Sequence, residues 1–418
     1  MFLKKYTALI ILSISMIAIV LIGIRVQSLG NESTVYIQTI EGDSSVLEDV
    51  IISGLIQDKY HGLQFSLEED RVEKKKEIYT HFLNIRSKNE LDESIEKIVT
   101  FENGEYIDGF GIQKLRGYEN IGVLLMGSLG NVNYPLSAKT KEDGGYYPRF
   151  MDNNYTVLNN ELYFTITETL YLTGQNGIFK IENYHKEGSD VELDIKEVVT
   201  MPIDHKQDVN IIGITNLNNC IIVLEMTKDK LVVKAFDPNT GELVGKETGA
   251  FGDSSDHSYF RPSYRIYKAG NILNVYFHKR IGLEEVGGDI LTFKVNDGIE
   301  LVNATVIDNT NEDFEMHRPD SLDNVYYVND KLFVFQKMGY LEDYYDRIFN
   351  YFLYVYEDNQ LLYKGELKTD INDDLVLSRF NKDDRYFHRN SGIKLNYLQF
   401  RSKYNNRVLT DIQVEPKY

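Results

Sequence analysis

The chain has 418 residues and a formal net charge of −19, with 64 acidic against 45 basic side chains. A body this acidic repels nucleic acid unless a basic patch intervenes, and the sequence shows none. The lone Cys220 excludes an intramolecular disulfide framework. Tyr (30) and Phe (21) are abundant and Pro (7) is scarce, which favours strands over helices and predicts an all-β body.

The first feature along the chain is an uncharged apolar run, residues 6–24, YTALIILSISMIAIVLIGI. At 1.5 Å per residue it reaches about 28 Å as a helix, roughly one hydrocarbon core. Lys4 and Lys5 precede it, whereas Arg25 is followed by Glu32, Glu41 and Asp43. That asymmetry predicts a single-pass signal anchor with residues 1–5 in the cytoplasm, a tether over 25–33 and the body, 34–418, outside the cell membrane. A cleaved signal peptide is the alternative, with Val26-Gln27-Ser28 as the cleavage site.

Beyond the tether, STVYIQTIE, VIISGLI and LQFSL read as strands within residues 34–67. The charge run EEDRVEKKKE, 68–77, reads as a solvated hairpin tip or helix face, and 78–85 as a further strand. Leu91, Ile95 and Ile98 recur at helical spacing, which predicts a short helix over 86–100. Residues 34–100 are a candidate N-terminal subregion.

From about residue 101 short alternating strands are separated by Asn-Asn, Asn-Gly, Asp-Gly and Asn-Asp dipeptides, which supply the positive φ of tight hairpins. Four hairpins match: 155–166, 212–225, 264–277 and 324–336. Their turns, near Asn160, Asn219, Gly270 and Asp330, are 59, 51 and 60 residues apart. Second strand pairs follow three of them, at 230–246, 289–304 and 351–367. A four-stranded repeat of this length cannot bury both of its faces alone, and a ring of such sheets, a β-propeller, hides most edges. The remaining length allows about six to eight blades, with 394–416 as a partial blade for an N-terminal strand to complete. Two packed all-β domains split near residue 100 are the competing arrangement.

In anchor and repeat the chain resembles the membrane-anchored propeller-type extracytoplasmic proteins of Gram-positive bacteria, many without assigned function. The resemblance is architectural. With no Trp, the Trp-Asp, quinoprotein and sialidase-type repeats are absent, and Gly144-Gly145 and Gly287-Gly288 only echo kelch glycines. It implies no catalytic residues.

One constellation recurs. Tyr146-Tyr147-Pro148-Arg149, Tyr259-Phe260-Arg261-Pro262, Met316-His317-Arg318-Pro319 and Tyr386-Phe387-His388-Arg389 each place an arginine beside aromatic, His or Pro residues, shortly before a predicted first strand or in the C-terminal segment. His205-Lys206 holds a similar place in the intervening repeat. First strands of a propeller line its channel, so Arg149, Arg261, Arg318 and Arg389 are candidates to bind a carboxylate or phosphate bidentately. Tyr147, Phe260, His317 and His388 would pack on the ligand. The structural alternative is a salt bridge from each arginine to the next blade.

No cofactor is expected. The metal alternatives are calcium at Asp308, Asn311 and Asp313, whose loop lacks the glycine and final glutamate of a calcium loop, and at Asp370-Ile371-Asn372-Asp373-Asp374. The histidines show no zinc spacing, and there is no nucleophile elbow or phosphate-binding glycine loop. The reading is therefore a non-catalytic, membrane-anchored binding or scaffold protein for a protein, wall polymer or anionic ligand. A hydrolase or lyase on wall or sugar polymers, and a sensory or assembly partner of another membrane protein, are the alternatives.

Overall fold

The computed structural model describes residues 16–17, 19–20, 35–57, 61–68, 71–78, 99–100, 106–114, 120–127, 132–140, 153–167, 169–187, 190–202, 209–252, 263–281, 284–308, 317–341, 347–369 and 408–417. The described strands are β1 (Val35–Gly42), β2 (Val50–Gln57), β3 (His61–Glu68), β4 (Arg71–Ile78), β5 (Val99–Thr100), β6 (Tyr106–Lys114), β7 (Asn120–Gly127), β8 (Val132–Thr140), β9 (Tyr155–Leu158), β10 (Glu161–Phe164), β11 (Leu172–Thr173), β12 (Gln175–Glu187) and β13 (Asp190–Pro202). They continue with β14 (Asn210–Leu217), β15 (Cys220–Met226), β16 (Lys230–Phe236), β17 (Leu243–Ala250), β18 (Tyr264–Ala269), β19 (Ile272–Ile281), β20 (Glu284–Val295), β21 (Ile299–Asp308), β22 (His317–Val328), β23 (Lys331–Leu341), β24 (Arg347–Glu357), β25 (Gln360–Thr369) and β26 (Val408–Pro416). The architecture is all-β and propeller-like: the described strands form antiparallel sheets of four or five.

The chain divides into two compact units, one of 1–85, 350–353 and 363–418, the other of 86–349 and 354–362. In the second, β14-β15-β16-β17 and β18-β19-β20-β21 are simple up-and-down sheets, β13-β12-β10-β9 has the same design, and β11-β8-β7-β6-β5 has five strands. The predicted hairpins are all present as β9–β10, β14–β15, β18–β19 and β22–β23. Their turns use the predicted chemistry. Asn159 and Asn160 (φ 54° and 62°), Asn218 and Asn219 (49° and 61°), and Asn329 and Asp330 (51° and 60°) all sit in the left-handed region that Asn and Asp tolerate. The β18–β19 turn places Gly270 at φ 59°.

Packing follows from the alternation along each strand. On one face of the β14–β17 sheet, Ile222, Leu224 and Val233 meet Leu273, Phe277 and Phe293 of the β18–β21 sheet. On the other, Ile221 and Val223 meet Leu158, Tyr163 and Ile178. A sheet buried on both faces cannot stand alone, which is why its strands read as near-continuous apolar runs. The first strands of successive sheets are also tied by side chains: Asn216 Nδ2 donates to Val157 O (2.5 Å), Lys268 Nζ to Asn216 Oδ1 (2.9 Å) and Tyr264 Oη to Ile212 O (2.7 Å).

In the first unit the sheet order is β26-β2-β3-β4, so a strand from the end of the chain joins a sheet begun near its start; of the partial blade expected over 394–416, residues 394–407 lie outside the described ones. A bulge opposite Ser53 and Leu55 puts Asp411 at φ 52°. The charge run forms the β3–β4 hairpin, and Arg71–Lys75 lie exposed on the edge strand, where charge deters pairing with another chain. β1 pairs with β25.

Three expectations change or fall outside: of the strand expected over 78–85 only Ile78, the end of β4, is described. The helix over 86–100 gives way at its end, where the β-branched Val99 and Thr100 form β5 against β6; its other residues lie outside the described ones. Within the apolar run 6–24, Met16, Ile17, Ile19 and Val20 are helical and exposed, and the rest is outside. Among the described residues no helix is long and apolar enough to cross a membrane.

Candidate functional site

The β18–β21 sheet presents two unlike faces. Ile266, Val275 and Leu291 point into the apolar layer shared with β14–β17. The alternate residues are largely polar, Arg265, Tyr267, Asn274, Tyr276, His278 and Thr292, with the buried Ile272 and Ile290 among them. These face the β22–β23 hairpin, because Arg265 Nη1 (3.2 Å) and Tyr267 Oη (2.6 Å) both donate to Leu322 O, and Asn274 Nδ2 donates to Val325 O (3.2 Å). Asn274, Tyr276, His278 and Thr292 are buried. A polar seam inside a stack of sheets is costly unless each group is satisfied.

Most of the seam is satisfied. Thr292 Oγ1 donates to Asn274 Oδ1 (2.7 Å), Tyr276 Oη to Gly287 O (2.9 Å), and the His278 ring lies 4.5 Å from that of Tyr276. Gln336 is different. It lies opposite Leu322 in the β22–β23 ladder, two residues from Val334, which lies opposite Val325. Tyr327 of that hairpin donates to Val302 O of β21 (3.4 Å), so its face, and with it Leu332, Val334 and Gln336, is turned to the β18–β21 sheet. Gln336 is 1 % exposed, and among the described residues neither Oε1 nor Nε2 has a hydrogen-bond partner.

Register sets the level. Arg265 is opposite Tyr276 in one ladder and Gln336 opposite Leu322 in the other, and Arg265 reaches Leu322 O. Arg265 and Tyr267, two residues apart on β18, thus both reach the carbonyl of Leu322, the residue opposite Gln336. Arg265 remains exposed and offers a guanidinium of five donors, one of them engaged on Leu322 O. Gln336 adds two N–H donors and a carbonyl acceptor. The surplus is of donors, which suits an oxyanion or a carbonyl group.

The same end of the β18–β21 sheet anchors the 253–262 segment. Gly252 N donates to Asp289 Oδ1 (3.0 Å) where the segment begins, and His278 N donates to Ser263 O (2.9 Å) where it ends. Arg261 and Phe260 belong to that segment and lie outside the described residues, as do Arg149, Tyr147, His388 and Arg389. Arg318 and His317 are placed, but inside β22 rather than before it, opposite Gly339 and Tyr340. The strand runs further upstream than the hydrophobic pattern suggests because Pro319 is accommodated at an irregularity in the ladder. Asp308 closes β21, while Asn311 and Asp313 lie outside. Among the described residues no group of three or more His, Cys, Asp or Glu side chains is placed to hold a metal.

Sequence reasoning missed Gln336 and Arg265. The signal was present: in KLFVFQ the glutamine continues the phase of Leu332 and Val334, which places it inside, and in YRIYK the arginine alternates with inward residues.

Elsewhere, polar groups are locally balanced. Burial pushes the Glu161 carboxyl up, but hydrogen bonds from Lys180 Nζ (2.6 Å) and Tyr163 Oη (2.5 Å), with the lysine charge, outweigh it and hold the group below the usual carboxylate range. Burial and the neighbouring Asp330 push the Tyr327 hydroxyl up to about 12. Burial raises the Cys220 thiol, with Asp237 adding to it, the opposite of an activated nucleophile.

No described protein family matches the chain, and no curated protein does either. Among solved structures it is similar to a protein from Lactobacillus plantarum, at 10% identity over 77% of this chain and 96% of that one, TM-score 0.29. It is also similar to a prolyl endopeptidase, at 10% identity over 78% of this chain and 51% of that one, TM-score 0.27. A B. megaterium levansucrase mutant matches at 9% identity over 70% and 91%, TM-score 0.22. Likenesses at these scores carry no argument about activity.

Proposed function

We propose that this chain is a non-catalytic binding protein, held on the outer face of the cell membrane by its apolar N-terminal run, that takes an anionic ligand at the polar seam. In this reading the sheets close into a propeller of about six to eight blades, the strand β26 completing the sheet of β2. The observation that carries the binding role is the buried Gln336 amide, without a hydrogen-bond partner among the described residues, opposite Leu322, whose carbonyl the exposed Arg265 reaches. A buried amide without partners costs about 1–3 kcal/mol, so its retention in the seam calls for a use. A protein or wall polymer carrying carboxylate or phosphate groups presents the same chemistry as a small anion.

Calorimetric titration of the full chain with carboxylated and phosphorylated sugars tests the reading. One of these binds the wild type, and Arg265→Ala weakens it by about tenfold or more, which is about 1.4 kcal/mol. Absence of binding across the series, or undiminished binding by Arg265→Ala, counts against it.

A further inference from the structure

The outer strand β1 differs from the other charged edge of its unit. It pairs on one side with β25 and is the last strand of its sheet among the described residues. The edge strand β4 carries Arg71, Glu73, Lys74 and Lys75, a sequence that resists pairing. β1, VYIQTIEG, has one charge, Glu41, near its end, and it exposes two large apolar side chains, Tyr36 at 50% and Ile40 at 49%. The register to β25 jumps from Thr39 to Glu41, so Ile40 sits at a bulge, out of that ladder. Bulges at sheet edges re-aim a side chain, and here the re-aimed residue is an isoleucine rather than a charge.

We propose that β1 is a self-pairing edge whose partner is β1 of a second copy of this chain. The sequence of the strand is self-complementary about Gln38. Antiparallel pairing across a two-fold axis there sets Tyr36 opposite Ile40 of the other copy, an aromatic against a β-branched side chain. Gln38 meets Gln38, whose amides carry both donor and acceptor, and Val35 meets Glu41, so no like charges are opposed. The two exposed apolar residues of the strand thus become each other's cover. In a chain of net charge −19, an edge with so little charge is where two copies approach at least electrostatic cost. The preceding segment favours the same partner. On the anchored reading proposed above, copies held by the run that ends at Ile24 share one membrane. That raises their effective concentration and lets a small interface suffice.

Cysteine cross-linking of the full chain in mild detergent, in a Cys220→Ser background, tests the register. Directly opposite residues have Cα atoms about 4.5–5.5 Å apart, within the span of a disulfide. Glu41 and its copy would lie six residues apart along the strands, about 20 Å. Gln38→Cys therefore forms a covalent dimer under mild oxidation about tenfold or more faster than Glu41→Cys, whereas random collision gives equal rates. Adding Ile40→Lys abolishes the Gln38→Cys dimer, and in the wild-type chain Ile40→Lys lowers the mass in sedimentation to that of one copy. Equal cross-linking at the two positions, no dimer from Gln38→Cys, or a mass that ignores Ile40→Lys overturns the proposal.

Discussion

Gln336 shows how one side chain separates structure from function. If its only role were to fill the seam, an apolar residue of similar size would serve better, because the buried amide has no hydrogen-bond partner among the described residues. Gln336→Leu should therefore stabilise the ligand-free chain by about 1 kcal/mol or more, read as a higher urea midpoint at unchanged slope. Gly288 gives the opposite test. A Cβ there would overlap the Phe277 carbonyl oxygen and the Tyr276 ring. Gly288→Ala should lower the urea midpoint by an amount worth about 1–3 kcal/mol, the cost of overpacking. Titration adds a third. The Glu161 carboxyl is held low in the folded chain, so the unfolded chain binds more protons in acid. Its contribution is complete above the ordinary carboxylate range and is lost as pH falls through the folded value. Glu161→Gln should flatten the fall of stability below about pH 4.5. Tyr327 has the reverse sign: its contribution holds below about pH 10 and disappears as pH rises through about 12. Tyr327→Phe should remove that alkaline slope.

At the scale of elements, turns were the most legible feature. Asn-Asn at 159–160 and 218–219 and Asn-Asp at 329–330 announce hairpins because few residues tolerate positive φ, and all three appear where the dipeptides stand. Asn219→Val should lower the urea midpoint by about 1–2 kcal/mol, the penalty for a β-branched side chain in the left-handed region, whereas Asn219→Gly should be close to neutral. Strand pairs were legible for the same reason, since alternation and turn together fix register. The end of the predicted helix was not: Leu91, Ile95 and Ile98 supply a helical period, but pairing with β6 decides the state of Val99 and Thr100. The arginine motifs were legible as a recurrence, yet Arg318 falls within β22, and the seam itself was hidden. It is made by two sheets whose sequences are more than 50 residues apart, as Arg265 and Leu322 are. One strand reveals only which of its residues share a face, not what the opposite sheet offers to them.

For the molecule as a whole, the proposed reading holds the acid-rich body outside a membrane by the apolar run 6–24. The full chain should float with phospholipid vesicles, and a chain lacking residues 1–33 should not. Whether the seam between the β18–β21 sheet and the β22–β23 hairpin is a binding site is decided by thermal melting of the wild type beside Gln336→Leu, with and without carboxylated and phosphorylated sugars. A ligand at a hundred times its dissociation constant stabilises by about 2.7 kcal/mol. The account predicts that an anion raises the melting temperature of the wild type but not of Gln336→Leu, which melts higher than the wild type when no ligand is present. An equal ligand shift in both chains, or none in the wild type, would contradict it.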